Sequence, residues 1–431
     1  MKTLLKNKMK LPTFAVAAAN RLLCFWNGLV RVLDQRSFLF CFLASPAINL
    51  LVEMLSRRSP LKGFEYMIQS PGPFLYNCVL IFVTLLAASI FKKRVFSILF
   101  VSALWIWAGI VNCSLLGMRV TPFGATDILN MKSGLDLIDL YMTPFQIALA
   151  VGGVVLFIVV TIWLWLKSPK CRGHYLKRGA VFTAAAFSFS ILTALAVRSG
   201  TISESFGNLA DSYKQYGFAY CFAKSVVDMG VDRPDTYSEQ TLNQLTQELE
   251  NAQSAAGESE ERPNIIFVQL ESLFDVNRLN NLTFSSNPIP NLTRLRQEYS
   301  SGLFTVPSIG AGTVNTEFEA MTGMSLAYFG TGEYPFKTIL RSSVSPSICY
   351  DLEEYGYTSH AIHNHKGSFY DRNKVYPNLG FDDFTSIEYM DNIRKTPLGW
   401  AKDSILTEQV IKALDSTEGS DYIYTVTAQP H

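Results

Sequence analysis

Two stretches decide the fold of the second half of the chain. They are Asn264-Ile-Ile-Phe-Val-Gln-Leu-Glu271-Ser and, about forty residues later, Gly310-Ala-Gly-Thr313-Val-Asn-Thr-Glu-Phe318. The first is a nearly continuous apolar run that ends in a carboxylate, which is typical of a buried strand in a parallel sheet. The second predicts a glycine-rich turn that places Thr313 at the start of a helix. The Glu271 carboxylate and the Thr313 hydroxyl are both expected at the carboxyl edge of the sheet, where ligands bind in open α/β folds.

Residues 263–431 alternate between predicted strands and helices, which is the pattern of an α/β domain. Glycines such as Gly356 supply the stop signals between elements. We therefore expect a mostly parallel sheet in this region. Strands are predicted at Ile265–Leu270, Leu303–Val306, Tyr357–His363 and Asp421–Ala428, and helices at Pro290–Tyr299, Thr313–Thr322, Ser345–Tyr355 and Ser404–Leu414.

The first half of the chain is apolar enough to lie in a membrane. Five runs approach or reach the roughly 20 residues of helix that span a hydrocarbon core. No short apolar run with a small-residue cleavage site opens the chain, so a cleaved signal peptide is not expected. The formal net charge of +1 over 431 residues argues against a nucleic-acid partner. The predicted spans are Phe38–Leu55, Phe74–Phe91, Val95–Met118, Pro144–Leu166 and Ala180–Val197.

The distribution of Lys and Arg predicts the orientation of these spans. Fifteen basic residues lie in the N-terminal arm and in the second and fourth connections, whereas five lie in the first and third connections. The N-terminus is therefore expected in the cytoplasm, and the chain after Val197 outside the cell. This arrangement is that of a multi-pass plasma-membrane protein with an extracellular C-terminal domain.

Four regions follow from these patterns. The connector is aromatic and charged in its first part, which suits either an amphipathic helix pair at the membrane surface or a first layer of the outer domain. Its second part, 238–261, is a linker by composition. The regions are a basic arm (1–36), a five-helix transmembrane domain (37–199), a juxtamembrane connector and linker (200–262) and an outer α/β domain (263–431).

The connection between the third and fourth predicted spans is long and acidic. It runs from Arg119 to Met142 and carries Asp127, Asp136 and Asp139. Two interpretations stay open: a cap that faces the outer domain, or a solvated loop at the membrane surface.

Glu271 and Thr313 are the first candidates for chemistry. A carboxylate at a strand end can bind a divalent metal, although a solvated carboxylate is the simpler interpretation. Glycines before Thr313 permit close backbone approach and helix-start amides favour phosphate, although an ordinary N-cap threonine also fits. A threonine hydroxyl is a poor nucleophile unless a metal or base activates it, and a metal on Glu271 would do so.

The histidines concentrate in the predicted outer domain. His360, His363, His365 and His431 lie there, all near predicted strand tips, and Phe369-Tyr-Asp-Arg372 follows the third of them. His363 and His365 would share a face if the strand continued, because strand side chains repeat every two residues. A histidine, an aromatic ring and an arginine suit phosphate neutralisation and stacking. Each histidine taken alone is explained as a structural residue, whereas the set indicates a site.

These residues together resemble the lipoteichoic acid synthase family, which are polytopic phosphoglycerol transferases of the alkaline phosphatase/sulfatase superfamily. The resemblance covers nearly the whole chain, and its most specific match is Thr313 four residues before Glu317-Phe318. It implies a sulfatase-like outer domain, Mn²⁺ or Mg²⁺ held by Glu271 and Thr313, and Thr313 as the nucleophile. Family members often carry Trp where this chain has Tyr370. The implied substrate-binding residues are His363, Tyr370, Arg372 and His431.

The reaction that the resemblance implies is glycerophosphate transfer outside the membrane. The donor would be phosphatidylglycerol, and the acceptor a polyglycerolphosphate or glycan, as in lipoteichoic acid or related cell-envelope polymer synthesis. Phosphoethanolamine transfer and phosphoglycerol transfer to a glucan are alternatives within the superfamily. Formylglycine sulfatases are not favoured, because Thr313-Val-Asn-Thr lacks their Cys-x-Pro-x-Arg pattern.

One part of the family pattern is absent from the sequence. The family completes its metal site with an Asp-His pair downstream of the position that matches His431, and the sequence stops at His431. We therefore expect either a fragment of a longer protein, with an incomplete sheet, or a truncated protein. A truncated protein would be catalytically incomplete and would bind lipid headgroups or partner proteins.

Overall fold

The structure is a computed structural model that divides into two compact units. The first consists of Met1–Gly117 with Pro144–Ala223, and the second of Met118–Thr143 with Lys224–His431. The residues described are 26, 28, 30 and 35–431, without 130, 132–134, 136, 137, 139–141, 171–174, 205, 207, 229, 232–235, 254–261, 308–311, 331 and 431.

The helices and strands are numbered here in chain order. The helices before the sheet are α1 (Ser37–Ser56), α2 (Pro60–Gln69), α3 (Pro71–Ala88), α4 (Arg94–Leu115), α5 (Ala125–Leu129), α6 (Pro144–Lys167), α7 (Tyr175–Arg198), α8 (Leu209–Tyr216), α9 (Phe218–Val227) and α10 (Glu239–Gln253). The outer part contains β1 (Ile265–Gln269), α11 (Pro290–Glu298), α12 (Thr313–Thr322), α13 (Ile348–Glu353), β2 (Thr358–His363), α14 (Arg372–Asn378), β3 (Asp383–Ser386), α15 (Ser404–Leu414) and β4 (Asp421–Val426).

Five helices of the first unit are long and apolar enough to cross a membrane, which confirms the predicted spans. They are α1, α3, α4, α6 and α7. The last of them begins five residues before the predicted apolar run, because Tyr175-Leu-Lys-Arg continues the helix beyond its apolar part. Pro46 lies inside α1 without ending it.

The connector joins the first unit through buried polar side chains. Gly217, at φ +87°, separates α8 from α9. Glu53 accepts a hydrogen bond from the Phe218 amide at 2.7 Å, and Asn77 accepts one from the Tyr220 amide at 2.6 Å. The first amides of a helix have no partner within the helix, so these two side chains satisfy the start of α9.

The sheet of the second unit has four parallel strands in the order β1-β4-β2-β3. Ile265 pairs with Tyr422, and Thr358 pairs with Asp421 on the other side of β4. His363 at the end of β2 therefore lies beside Val426 and Ser386. All four strands run in one direction, so the segments that follow β1, β2 and β4 meet at a single edge.

Helices cover both faces of this sheet. On one face, Val314 and Phe318 of α12 and Tyr376 of α14 form a buried cluster with Tyr424 of β4. On the other face, Ile405 and Leu406 of α15 pack against Ile362 and Ile423. Central strands buried on both sides are the normal state of a parallel sheet. The core thus fixes the start of α12 against the sheet.

One strand prediction was wrong, and one strand was not predicted. The structure has no strand at Leu303–Val306, where Leu303 and Phe304 are 77% and 70% exposed. Three apolar residues and a threonine do not form a strand unless a neighbouring strand pairs with their backbone, so the apolar run alone was an insufficient signal. Conversely, β3 was missed, because Asp383–Ser386 contains a single large apolar residue and pairs as an edge strand.

Candidate active site

Glu271 follows β1 and is 7% exposed. Its backbone amide donates to Oγ1 of Thr427, at 3.1 Å, which ties the end of β1 to the end of β4. The next residue, Ser272, has φ +60°, a left-handed conformation that side-chain-bearing residues seldom adopt. Backbone strain of this kind concentrates at functional sites. The turn therefore holds the carboxylate at the carboxyl edge of the sheet.

Thr313 is the first residue of α12, and its hydroxyl donates a hydrogen bond to Oε1 of Glu271. The N-cap position belongs to Gly312, at φ +79°, so Thr313 does not serve as a side-chain cap. A Cβ on Gly312 would lie 2.9 Å from the Tyr334 ring. Glycine is thus required at position 312 for two reasons: the backbone is left-handed, and the Tyr334 ring leaves no room for a side chain.

His363 ends β2 and is held at both ring nitrogens. Its Nδ1 lies 2.9 Å from the Val426 carbonyl, and its Nε2 lies 3.1 Å from Nη1 of Arg372. A guanidinium only donates, so Nε2 accepts and Nδ1–H donates to the carbonyl. Burial, followed by the charge of Arg372, lowers the pKa of His363 well below its usual range. The histidine is therefore neutral and fixed in one tautomer.

Arg372 is fully buried and forms an ion pair with Glu317. Nε donates to Oε2 at 3.1 Å, Nη2 donates to Oε1, and Tyr376 donates to Oε2 at 2.8 Å. Burial opposes the charge of Arg372, but the Glu317 carboxylate outweighs it and raises the pKa of Arg372. Glu317 and Tyr376 were not singled out as site residues from the sequence. The one sequence feature that could have indicated Glu317 is its position one helical turn after Thr313.

Tyr370 lies above the start of α12. Its ring stacks on Tyr334 with centroids 6.0 Å apart and an interplanar angle of 15°. The Gly312 amide donates to its phenolic oxygen, while burial raises the pKa of Tyr370. Tyr370 and Asp371 both have left-handed backbones, at φ +57° and +58°. Left-handed residues thus precede Thr313 (Gly312), follow Glu271 (Ser272) and bond the Gly312 amide (Tyr370).

The other histidines lie elsewhere. His360 is near the amino ends of the strands, between Asp383 (2.6 Å) and Asp421 (3.3 Å), so it is not at the strand tips as expected. β2 stops at His363, and the ring of His365 lies 6.0 Å from that of His363. His431 lies outside the described residues.

The side-chain oxygens of Glu271 and Thr313 contact each other and could both bind a divalent metal. Oxygen is the ligand type that Mn²⁺ and Mg²⁺ prefer, but such ions take about six ligands. Within the described part of the chain, no group of three or more His, Cys, Asp and Glu side chains is placed to hold a metal. The oxygen atoms of Glu271 and Thr313 therefore fit such an ion, and they supply two of the ligands that it needs.

Comparison with known proteins found similar sequences. A model of the sulfatase family matches residues 263–431. A protein of Rhizobium meliloti (strain 1021) named for cyclic β-1,2-glucan modification is 26% identical over 415 residues, which cover 92% of this chain. The chain spans 63% of the length of that relative.

Comparison with solved structures found partial matches. The Streptococcus pyogenes phosphoglycerol transferase GacH, in complex with sn-glycerol-1-phosphate, has 23% identity and a TM-score of 0.41, over 46% of this chain and 54% of its own. The Neisseria meningitidis lipooligosaccharide phosphoethanolamine transferase EptA has 12% identity and a TM-score of 0.47, over 92% of this chain and 69% of its own. The sulfatase match and the parallel sheet confirm the predicted fold: five apolar membrane helices followed by a sulfatase-like domain.

Proposed function

We propose that this protein is a membrane-bound phosphotransferase that moves glycerophosphate from phosphatidylglycerol to a polyglycerolphosphate or glycan acceptor. The observation that carries the proposal is the hydrogen bond from Thr313 to Glu271 at the carboxyl edge of a parallel sheet. A nucleophile in contact with its base, on rigid elements, is the recurring arrangement of covalent catalysis. The sulfatase match over residues 263–431 supports ester chemistry at this edge.

The reaction takes place in two displacements at phosphorus. Glu271 accepts the proton of the Thr313 hydroxyl, and the threonine oxygen forms a bond to phosphorus. The bond between phosphorus and the diacylglycerol oxygen breaks, that oxygen takes the proton that Glu271 accepted, and glycerophosphate stays on Thr313. An acceptor hydroxyl then attacks phosphorus, the bond between phosphorus and the Thr313 oxygen breaks, and the acceptor proton passes through Glu271 to that oxygen. A divalent cation on Glu271 and Thr313, Mn²⁺ or Mg²⁺, would lower the pKa of the hydroxyl and polarise a phosphate oxygen.

The surrounding side chains have separate roles in this proposal. Tyr370, stacked on Tyr334, is placed to pack against the headgroup. His363, which was expected to bind the headgroup, is buried with both ring nitrogens bonded, so it supports the site at the end of β2. Arg372 holds His363 and Glu317 together, so it aligns α12 with β2. His431 belongs to the headgroup site on the family pattern alone.

The membrane helices have a role in delivering the donor. With the N-terminus in the cytoplasm, as the basic residues predict, the catalytic domain lies on the outer side of the membrane. Anchoring this domain to the membrane that carries the lipid raises the local concentration of phosphatidylglycerol. We also propose that the four regions predicted from the sequence are the arm, the transmembrane domain, the connector and the catalytic domain of this enzyme.

A glucan is the acceptor that one observation favours. The relative named for cyclic β-1,2-glucan modification is similar over 92% of this chain. We therefore rank phosphoglycerol transfer to a glucan as the second candidate, with the same nucleophile and donor. Supplying the protein with labelled phosphatidylglycerol and either a cyclic glucan or a polyglycerolphosphate distinguishes the acceptors by which product carries the label. Supplying a lipid labelled in an ethanolamine headgroup tests the alternative of phosphoethanolamine transfer.

Replacing Thr313 by Ala tests the proposal directly. Diacylglycerol release from phosphatidylglycerol should fall by at least about 1,000-fold, since the covalent route needs that oxygen. Thr316→Ala is the matched control, because Thr316 lies one turn further along the same helix and is half-buried too. Diacylglycerol release that is equal in the two variants and the unmodified protein would remove Thr313 from the mechanism.

A further inference from the structure

The helix α2 occupies the connection between the first two membrane spans. Residues 57–59 separate it from α1, and Ser70 separates it from α3. Its first turn is fixed by Ser59, whose hydroxyl accepts a hydrogen bond from the Lys62 amide at 3.5 Å. A helix of 10 residues is about 15 Å long, half the thickness of a hydrocarbon core, so α2 does not cross the membrane. It lies at the level of the membrane where α1 ends and α3 begins.

One face of α2 packs tightly against the neighbouring spans. A Cβ on buried Gly63 would lie 2.6 Å from Cγ and 3.0 Å from Cα of Met54, so α2 approaches the backbone of α1 closely. Buried Tyr66 packs against Phe74 of α3, with ring centroids 6.2 Å apart. The guanidinium carbon of Arg57 lies 3.8 Å from the centroid of the Tyr66 ring. These contacts fix the rotation of α2 about its own axis.

The rest of the surface of α2 is divided into an apolar strip and a polar strip. Successive residues of an α-helix lie about 100° apart around its axis, so each strip covers an arc of about 60°. The polar strip lies between the apolar strip and the buried face. The apolar strip consists of Leu61 (80% exposed), Phe64 (44%) and Ile68 (73%). The polar strip consists of the exposed residues Lys62, Glu65 and Gln69.

The apolar strip continues the apolar exposure of the adjoining spans. Near the connection, α1 exposes Leu51 (41%) and α3 exposes Leu75 (61%), and such side chains contact acyl chains when the helices cross a membrane. Single exposed leucines are normal on a protein surface, whereas a whole strip of apolar residues on a short helix indicates an interaction surface. A helix with one apolar and one polar strip is the form that binds at the boundary between acyl chains and headgroups.

We propose that α2 is an interfacial helix whose apolar strip inserts into the lipid leaflet in which α1 ends and α3 begins. The partner is the boundary between the acyl chains and the headgroups of that leaflet, which is the outer leaflet in the orientation proposed above. The polar strip faces water. With one face fixed to the spans and the apolar strip held at this boundary, α2 sets the depth of the first unit in the membrane. This role is independent of the proposed reaction.

Photolabelling by lipid tests this placement. The full chain is reconstituted into phosphatidylcholine–phosphatidylglycerol vesicles that contain a phosphatidylcholine with a diazirine on its acyl chain. After irradiation and digestion, mass spectrometry locates the lipid adducts. They should be at least about fivefold more frequent on the apolar strip than on the polar strip. Helix α6, whose residues are all at least partly exposed, should be labelled in the same sample and is the positive control. Equal labelling of the two strips, or a labelled α6 with an unlabelled apolar strip, would overturn the placement.

Two double variants make the test specific to the apolar strip. Leu61→Asn with Ile68→Asn should reduce the lipid adducts on α2 at least about fivefold, because an amide without hydrogen-bond partners is unfavourable among acyl chains. Lys62→Asn with Gln69→Asn is the matched control on the polar strip and should leave the adducts on α2 unchanged. Unchanged labelling of α6 shows that the spans of each variant remain in the membrane. Adducts that persist in the first double variant would contradict the insertion of this strip.

Dilution of the protein in the vesicles tests a second copy of the chain as the occupant of the apolar strip. Lipid labelling of the strip should stay constant, relative to that of α6, as the number of chains per vesicle falls. Labelling that rises on dilution would show that another copy covers the strip in place of lipid, and the proposed partner would be wrong.

Discussion

The hydroxyl of Thr313 donates a hydrogen bond to Glu271, 42 positions earlier in the chain. One residue starts a helix and the other follows a strand, so the packing of α12 on the sheet brings them together. Gly312, and not Thr313, occupies the N-cap position of α12, and the Glu271 side chain lies beyond the end of β1. In the proposed function, this buried carboxylate in contact with a helix-start hydroxyl is the chemical centre of the second unit.

Glu271→Gln should reduce diacylglycerol release at least about 100-fold while the protein stays folded. The amide keeps the size of the side chain but loses the charge that accepts the Thr313 proton and binds a cation. Initial rates and the thermal unfolding midpoint of the same sample give the two readouts. Glu298→Gln, which alters an exposed carboxylate of α11, should change neither. Wild-type rates in Glu271→Gln would exclude this carboxylate from the reaction.

Gly312→Ala and Gly323→Ala form a matched pair at the two ends of α12. Both glycines have left-handed backbones, at φ +79° and +66°, so either alanine costs about 1–2 kcal/mol of backbone strain. At Gly323 nothing lies within 4 Å of the added Cβ, whereas at Gly312 the Tyr334 ring lies 2.9 Å away.

The two glycine variants should therefore differ more in their rates of diacylglycerol release than in their free energies of unfolding. Displacing the Tyr334–Tyr370 pair and Thr313 by a fraction of an ångström to 1 Å should cost about 100-fold in rate for Gly312→Ala. Gly323→Ala should stay within a few-fold of the unmodified protein. Equal rates in the two variants would show that the close approach of Tyr334 is irrelevant to catalysis.

His360 should make the stability of the second unit depend on pH. Its hydrogen bond to Asp383, against the opposing effect of burial, raises the pKa of His360 above its usual value. The protonated form is thus favoured in the folded state. Its stabilising contribution is fully present below the unfolded pKa of about 6.5 and is lost as pH rises through the folded-state pKa.

Thermal unfolding between pH 6 and pH 9 measures this contribution. The difference in midpoint between the unmodified protein and His360→Gln should be largest at pH 6 and should shrink as pH rises. The site residues should be unaffected, because His360 lies at the amino ends of the strands. A difference that is constant with pH would show that His360 is neutral throughout.

Gly217→Ala should detach the connector from the first unit. Gly217 has φ +87°, and an added Cβ would lie 2.7 Å from Asn77 and Tyr66 side-chain atoms and 2.9 Å from Glu53. Strain and overpacking together should cost about 2–5 kcal/mol. Gly200→Ala is the control, since φ is +72° with nothing within 4 Å. Unfolding in detergent should occur at a clearly lower temperature for Gly217→Ala, and coincident curves would contradict the close packing.

The elements with strong local signals were predictable from the sequence. The bounds of α12 and α15 match the predicted helices to the residue, because glycines, an apolar period and capping positions all act within a few residues. The spans followed from length and composition alone. In contrast, β3 has too few apolar residues to give a strand signal, and its pairing with β2 is decided by the finished sheet.

The site was predictable in its position more than in its contacts. Placing Glu271 and Thr313 at the carboxyl edge requires only the strand–helix alternation. The partner of Arg372 is Glu317, 55 positions away, and such a pairing depends on how α14 packs on α12. The same holds for His360, whose two aspartates come from neighbouring strands. Long-range pairing of charged groups leaves no periodic trace in a sequence.

Mass spectrometry of the covalent intermediate tests the central claim most directly. The protein is mixed with phosphatidylglycerol in the absence of an acceptor, quenched in acid and digested. The account predicts glycerophosphate on the peptide that contains Thr313, attached to that residue, and its loss when an acceptor is added before the quench. Release of diacylglycerol without any modification of Thr313, or with the group on another residue, would contradict it.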